Sequence, residues 1–165
     1  ANMSNSPFRL YKHWVHEGGV ATPCIVQWPA GTLQQGGLSH RPCHVIDIMA
    51  TCLDVAGATY PREYGGREIT PMEGESFLCL LKGGTKERER PIFWEHEGNC
   101  AVRDGAWKLV RKHPDEWELY NMENDRTELH DLSRGNSGRK KKLIRQYEEW
   151  ATRCGVLDWP LNRRR

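Results

Sequence analysis

Two short stretches of this chain hold the side chains with the most chemistry in them. In the first, Arg9 to Pro23, Lys12, His13 and His16 stand just ahead of Glu17, Gly18 and Gly19. The second, Trp94 to Arg103, gathers His96, Glu97, Asn99 and Arg103. A lysine ammonium is a compact charge with three donors on a flexible stem, which suits an oxygen-rich anion. The second group falls on an expected hairpin, and loops on rigid scaffolds often carry specificity, so its side chains are candidates for substrate contact. His13, His16 and Glu17 read H-x-x-H-E, not H-E-x-x-H. Histidines three apart need a third ligand, and nothing in the local sequence supplies one, so no metal is assigned. The six cysteines form no C-x-x-C pair, which argues against a zinc knuckle or a thioredoxin-like site. Cys24 and Cys52 lie in apolar patterns and are expected to be buried.

Composition narrows the classes. A chain of 165 residues with 38% hydrophobic content is long enough for one real core or two small ones. A net charge of +2 favours no particular partner. No apolar stretch approaches the roughly 20 residues of a membrane-spanning helix, so no membrane partner is expected. Ala1 to Ser6 carry neither the basic start nor the apolar core of a signal peptide. Arg139 to Lys142 and Arg163 to Arg165 are basic, but Glu148 and Glu149 offset the first run and no stacking-aromatic pattern accompanies it, so no nucleic acid is expected.

The elements that must hold these residues follow from periodicity. Phe8, Tyr11, Trp14 and Val15 suggest a short helix or helical turn over 7–17, broken by Gly18 and Gly19. Residues 24–28 form an apolar run between prolines, as a strand buried on both faces does. From His44 to Ala56, the positions Val45, Ile48, Met49, Cys52, Leu53 and Ala56 make one face of a helix, with Gly57 as its cap. Residues 58–76 read as irregular, and Ser76 to Leu81 as one helical turn. Gly83 to Arg90 is a plausible boundary. Beyond it come strands at Ile92–His96, Cys100–Arg103, Ala106–Val110 and Trp117–Tyr120. Asp104-Gly105 is the expected two-residue turn of the central hairpin. Lys141 to Cys154 is an amphipathic helix with Leu143, Ile144, Tyr147, Trp150 and Ala151 on one face. The expected fold class is α+β: a four-stranded antiparallel sheet packed by a C-terminal helix, with Trp107 and Trp117 in its core.

Four segments, in order, resemble the arylsulfatases of the alkaline-phosphatase superfamily. Tyr11-Lys12, Glu17-Gly18-Gly19, Pro23 and Trp28-Pro29 resemble that family's YK…EGG…P…WP pattern. His44 to Gly57 is similar to its H…D…PT…AG helix, with Ala50 in place of a common proline. Trp94 to Asn99 with Ala101 to Leu109 resembles a C-terminal hairpin, and Trp117 to Leu132 resembles the ELYDLENDPTE…NL signature, with Arg126 where proline is usual. The resemblance implies that residues 1–85 are the tail of a large α/β catalytic domain and 86–165 a small α+β subdomain. It implies hydrolysis of sulfate esters of a small molecule or glycan, with Lys12 reaching the sulfate. His96, Glu97, Asn99 and Arg103 are the further candidate substrate contacts. None of the six cysteines has proline two residues on, as the formylglycine motif C-x-P-S-R requires, and the family's calcium aspartates have no counterpart here. Calcium and formylglycine are thus implied for the full-length enzyme, in an N-terminal part, and none is assigned to this chain, which is expected to be inactive alone and to self-associate through apolar surface left uncovered. The resemblance also implies an exported or periplasmic protein. Two alternatives stay open: a phosphoester or phosphonate hydrolase of the same superfamily, and a non-catalytic binding module.

Overall fold

The computed structural model describes residues 2–32 and 36–161. In chain order the elements are a 3-10 turn (Asn2–Asn5), α1 (Glu17–Val20), α2 (Ile46–Ala56), β1 (Glu63–Tyr64), β2 (Arg67–Glu68), α3 (Leu78–Leu81), β3 (Ile92–His96), β4 (Asn99–Asp104), β5 (Trp107–Arg111), β6 (Glu118–Asn121) and α4 (Ser137–Cys154). They fall into two compact units, Ala1–Pro23 with Pro91–Arg165, and Cys24–Arg90. The contiguous division at residue 85 thus differs from the packing: residues up to Pro23 join the C-terminal sheet, and the second boundary falls after Arg90.

In the first unit, β3-β4-β5-β6 form an antiparallel sheet in sequence order. Alternation along each strand sends neighbouring side chains to opposite faces. Cys100, Val102, Leu109 and Leu119 share one face with Leu143 and Tyr147 of α4, and Phe93 stacks on Trp150 with ring centroids 5.1 Å apart. This is the expected helix on the expected sheet. Trp107 and Trp117 pack at its margin, each under a guanidinium, from Arg139 and Arg111 respectively. The opposite face carries Trp94, Ala101, Val110, Tyr120 and Met122, and it is covered by Val15 and Val20. The N-terminal segment thus forms a third layer that the periodicity did not indicate.

That segment is not the expected helix over 7–17. Leu10 and His13 adopt positive φ, 63° and 96°, which interrupts any helical run. The Gly18 amide donates to the Arg9 carbonyl at 3.0 Å and closes a loop over residues 9–18. A Cβ on Gly18 would strike the Arg9 and Leu10 carbonyl oxygens, so the closure depends on glycine. The glycines expected to break a helix instead lie within α1.

The central hairpin is shifted by one residue from its expected turn. Asp104 pairs with Trp107, so Gly105 and Ala106 form the two-residue loop. Gly105 has φ of 58° and Ala106 is not positive, which excludes type I′, where both must be.

In the second unit α2 and its Gly57 cap are as expected, with Gly57 at φ 62°. The covered face is the reverse of the expected one. Asp47, Ala50 and Thr51 are buried, while Val45, Ile48 and Met49 are 70%, 49% and 53% exposed. Asp47 accepts the His44 and Glu75 amides, each at 2.8 Å, and pairs with Arg88. Thr51 accepts the Phe77 amide at 3.0 Å. These polar anchors draw the 75–77 backbone onto the side opposite the apolar stripe. Residues 24–28 form no strand, since no described strand pairs with them, and Ile25 is 92% exposed. Cys24 and Cys52 are exposed for the same reason: the apolar patterns that hold them are uncovered. The irregular 58–76 stretch contains the small β1–β2 hairpin, and the turn at 76–81 is α3. No helix among the described residues is long and apolar enough to cross a membrane. Arg163 to Arg165 lie outside the described residues.

Exposed apolar surface on α2 and around Ile25 should make the 165-residue chain by itself associate. Light scattering at rising concentration should show mass above 19.1 kDa; a constant monomer mass would count against this.

Candidate functional site

Lys108 holds the N-terminal layer to the sheet. It points from β5 toward that layer, fully buried, with Nζ 2.9 Å from Glu17 Oε1 and 2.9 Å from Glu128 Oε1. Glu128 also accepts the Glu17 amide at 2.8 Å, and its own backbone sits at φ 57°. Burial pushes the Glu17 carboxyl upward, but the charge and hydrogen bond of Lys108, with Arg103 and Arg126, outweigh it and hold Glu17 below its ordinary range. A second cluster lies on the same face. Arg9 donates to Tyr120 Oη at 3.0 Å and to the Glu128 carbonyl at 2.7 Å. Glu118 Oε2 accepts Tyr120 Oη at 2.9 Å and lies 3.0 Å from Nε2 of the buried His16. Burial raises the Glu118 carboxyl, but the bonds from His16 and Tyr120 and the charge of Arg9 bring it down overall.

These two clusters fix both feet of the 9–18 loop, at Arg9 and at His16–Glu17. Its middle residues, Lys12 and His13, are exposed. The tip of the β3–β4 hairpin meets it there. His96 pairs with Asn99, leaving Glu97 and Gly98 as the turn. Both have positive φ, 51° and 80°, as type I′ requires. The Gly98 amide donates to Glu95 at 2.9 Å. His13 Nδ1 lies 3.3 Å from Glu97 Oε2, and the His13 and His96 rings are edge to face with centroids 5.2 Å apart.

The sequence candidates separate accordingly. His96 and Glu97 are exposed at this tip, with His13 between them and Lys12 next in the chain. Asn99 is buried, and its amide is spent on backbone: Nδ2 donates to the His96 carbonyl at 2.9 Å and reaches the His13 carbonyl at 3.5 Å, while Oδ1 accepts the His113 amide at 3.1 Å. Asn99 is therefore a strut beneath the tip. Arg103 shares its face but lies four residues along β4, about 13 Å away. It donates to the Gly105 carbonyl at 3.3 Å, and its surroundings are Glu17, Arg126 and Glu128. It is not part of the His96–Glu97 group. Sequence reasoning missed His13 as a partner of the hairpin, because its contacts lie more than eighty residues away. It also missed the Lys108 network, although a lysine followed by two buried apolar residues in a strand was a usable signal. The candidate site has no calcium-like character: two imidazoles and one carboxylate do not match an ion that takes six or more oxygens.

The four-stranded sheet thus lies between α4 on one face and the closed N-terminal loop on the other. Residues 8–150 match the family described as N-sulphoglucosamine sulphohydrolase, C-terminal, and the chain belongs to that family. It is 27% identical to an uncharacterized sulfatase of Schizosaccharomyces pombe, over 97% of this chain and 30% of that protein. It is 30% identical to a sulfatase of Formosa agariphila, over 78% of this chain and 26% of that one. The N-acetylgalactosamine-6-sulfatase of Mus musculus is 32% identical over 74% of this chain and 22% of its own length. The solved structure of Ps i-CgsB superposes with a TM-score of 0.74 at 25% identity, covering 88% of this chain and 32% of that one. The chain thus spans about a third or less of the proteins it matches.

Asn99→Ala should leave backbone groups under the hairpin unpaired and cost about 1–3 kcal/mol. It should also speed exchange of the His113 amide more than that of amides in the middle of β5, as read by hydrogen exchange. Equal protection at both places would remove the strut. Lys108→Met should cost more, about 3–5 kcal/mol, because it leaves two buried carboxylates without their cation. The lowered Glu17 value sets a pH dependence as well. Its contribution is present above the ordinary carboxylate range, about 4.3, and is lost as pH falls through the folded value. Denaturant unfolding from pH 7 to pH 3 should show stability falling at the acid end, less steeply in Glu17→Gln.

Proposed function

We propose that this chain is the C-terminal part of a sulfatase that hydrolyses sulfate esters carried on a glycan, and that Lys12 contacts the sulfate. The observation that carries the reading is the exposed Lys12–His13 tip of a loop anchored at both feet, in a chain of the sulfatase family. A charge held at a fixed place aids reaction only if it need not reorganise as charge moves in the transition state. The Arg9–Gly18 closure and the Lys108 network supply that constraint, while the lysine stem leaves the ammonium free to follow an oxygen. His96 and Glu97 would line the same end as contacts to the group beyond the sulfate ester. The nucleophile and metal, formylglycine and calcium by family resemblance, are assigned to the rest of the protein, so the isolated chain should not turn over.

A glycan is favoured over other sulfate esters by the relatives. Those matched include N-acetylgalactosamine-6-sulfatases of mouse, pig, dog and human, beside one steryl-sulfatase of mouse. A solved structure described as Ps i-CgsB in complex with k-i-k-neocarrahexaose aligns with 67% of this chain at a TM-score of 0.55. A polar, exposed hairpin suits a hydroxyl-rich ligand better than a flat aromatic one.

In the full-length enzyme, Lys12→Ala should lower kcat/KM by about 10²–10³, the scale of removing one preorganised donor. Lys12→Arg should restore it only in part, because a planar fork needs more room than a point charge. Steady-state kinetics on two unlike sulfate esters, with thermal melting as the folding control, decide the point. A near-wild-type value for Lys12→Ala on both esters would take Lys12 out of the site.

A further inference from the structure

We propose that His13, His96 and Glu97 form a site for a divalent transition-metal ion of the zinc type. Their ligand atoms all lie within 4.8 Å of one another, although the residues come from a loop and a hairpin far apart in sequence. Four ligands about 2.05 Å from a tetrahedral zinc stand ~3.3 Å apart. The His13 Nδ1 to Glu97 Oε2 separation is already 3.3 Å. The His96 ring packs edge to face against His13, with a ligand atom within 4.8 Å of both others.

The backbone under these side chains is held for the purpose. Asn99 Nδ2 reaches the main-chain carbonyls of both His13 and His96, so one buried amide ties the two histidine-bearing segments together. Glu97 sits at φ 51° in a type I′ turn that Glu95 stabilises by accepting the Gly98 amide. His13 is likewise at positive φ, 96°. A non-glycine residue in that region is uncommon and needs its surroundings to hold it. Two such residues face each other across this site.

The donor set selects the ion. Two imidazoles and one carboxylate suit zinc and its neighbours, and discriminate against calcium and magnesium, which take oxygen ligands. Three protein ligands leave the fourth position open. An anionic oxygen or water would complete it, which places a second cation-based anion contact beside Lys12. Glu97 offsets the added positive charge. The proposal does not rest on the sulfatase reading, because it is read by metal binding and not by turnover.

The test uses the full-length protein without a histidine tag, with exposed thiols alkylated, in calcium-containing buffer. Calorimetric titration with zinc chloride alone should show one equivalent bound that the calcium does not displace. Cobalt(II) in its place should give visible d–d bands without thiolate charge-transfer absorption. His13→Ala, His96→Ala and Glu97→Gln should each weaken zinc by more than about 10-fold, the effect of losing even an outer partner of a ligand. All three side chains are exposed, and circular dichroism confirms the fold of each variant. Absence of a zinc equivalent at micromolar concentration overturns the proposal, and so does zinc binding that two of the three substitutions leave unchanged. Failure here would leave the Lys12 kinetics as they stand, and a Lys12→Ala enzyme with full activity would leave the zinc titration as it stands.

Discussion

The buried ammonium of Lys108 between Glu17 and Glu128 is the interaction on which the placement of the 9–18 loop depends. Two carboxylates from distant segments, one on α1 and one after β6, converge on a cation from the middle strand. A charge in that place would be costly alone, and a buried pair is often no better than an apolar replacement. Its value lies in what it specifies. It selects one face of the sheet for the N-terminal layer and one register for the layer on it, because Lys108 can reach both partners only in that arrangement. The Arg9, His16, Glu118 and Tyr120 cluster repeats the device on the same face.

From that anchor the positions of the exposed side chains follow. The 9–18 loop is closed by a backbone bond and fixed at both ends, so Lys12 and His13 have little freedom except in their side chains. The β3–β4 hairpin brings His96 and Glu97 to the same place by strand register alone. Asn99 joins the two from beneath. A local change in any of these supports would move the tip without touching Lys12, His13, His96 or Glu97 themselves.

The second unit obeys a different constraint. Polar contacts through Asp47, Thr51, Arg88 and Glu75 tie its segments together. The apolar stripe of α2 and the apolar run around Ile25 remain exposed. Both patterns are those of buried elements, and the relatives are about three times as long as this chain. The hydrophobic patterning of residues 24–56 is therefore written for surroundings that these residues do not themselves provide.

Sequence by itself determined the elements whose signal is local. Short β-prone runs separated by turn residues gave the four strands, and the stripe through Leu143, Ile144, Tyr147 and Trp150 gave α4 and the face it buries. Gly57 gave a helix end, and motif order gave the family. Tertiary structure decided what depends on distant partners. Residues 7–17 carried a helical spacing of aromatics, yet Gly18 and the Arg9, His16 and Glu17 anchors bent them into a loop. The Asp-Gly turn slipped by one residue because strand pairing, not turn preference, set the register. Asn99 and Arg103 looked alike in sequence as polar residues of one hairpin. Burial made the first a strut, and a separation of about 13 Å along the strand put the second outside the group. His13 shows the limit most clearly: nothing within ten residues of it announces Glu97 or His96, because long-range pairing is fixed by the packing of whole layers and leaves no periodicity in the chain.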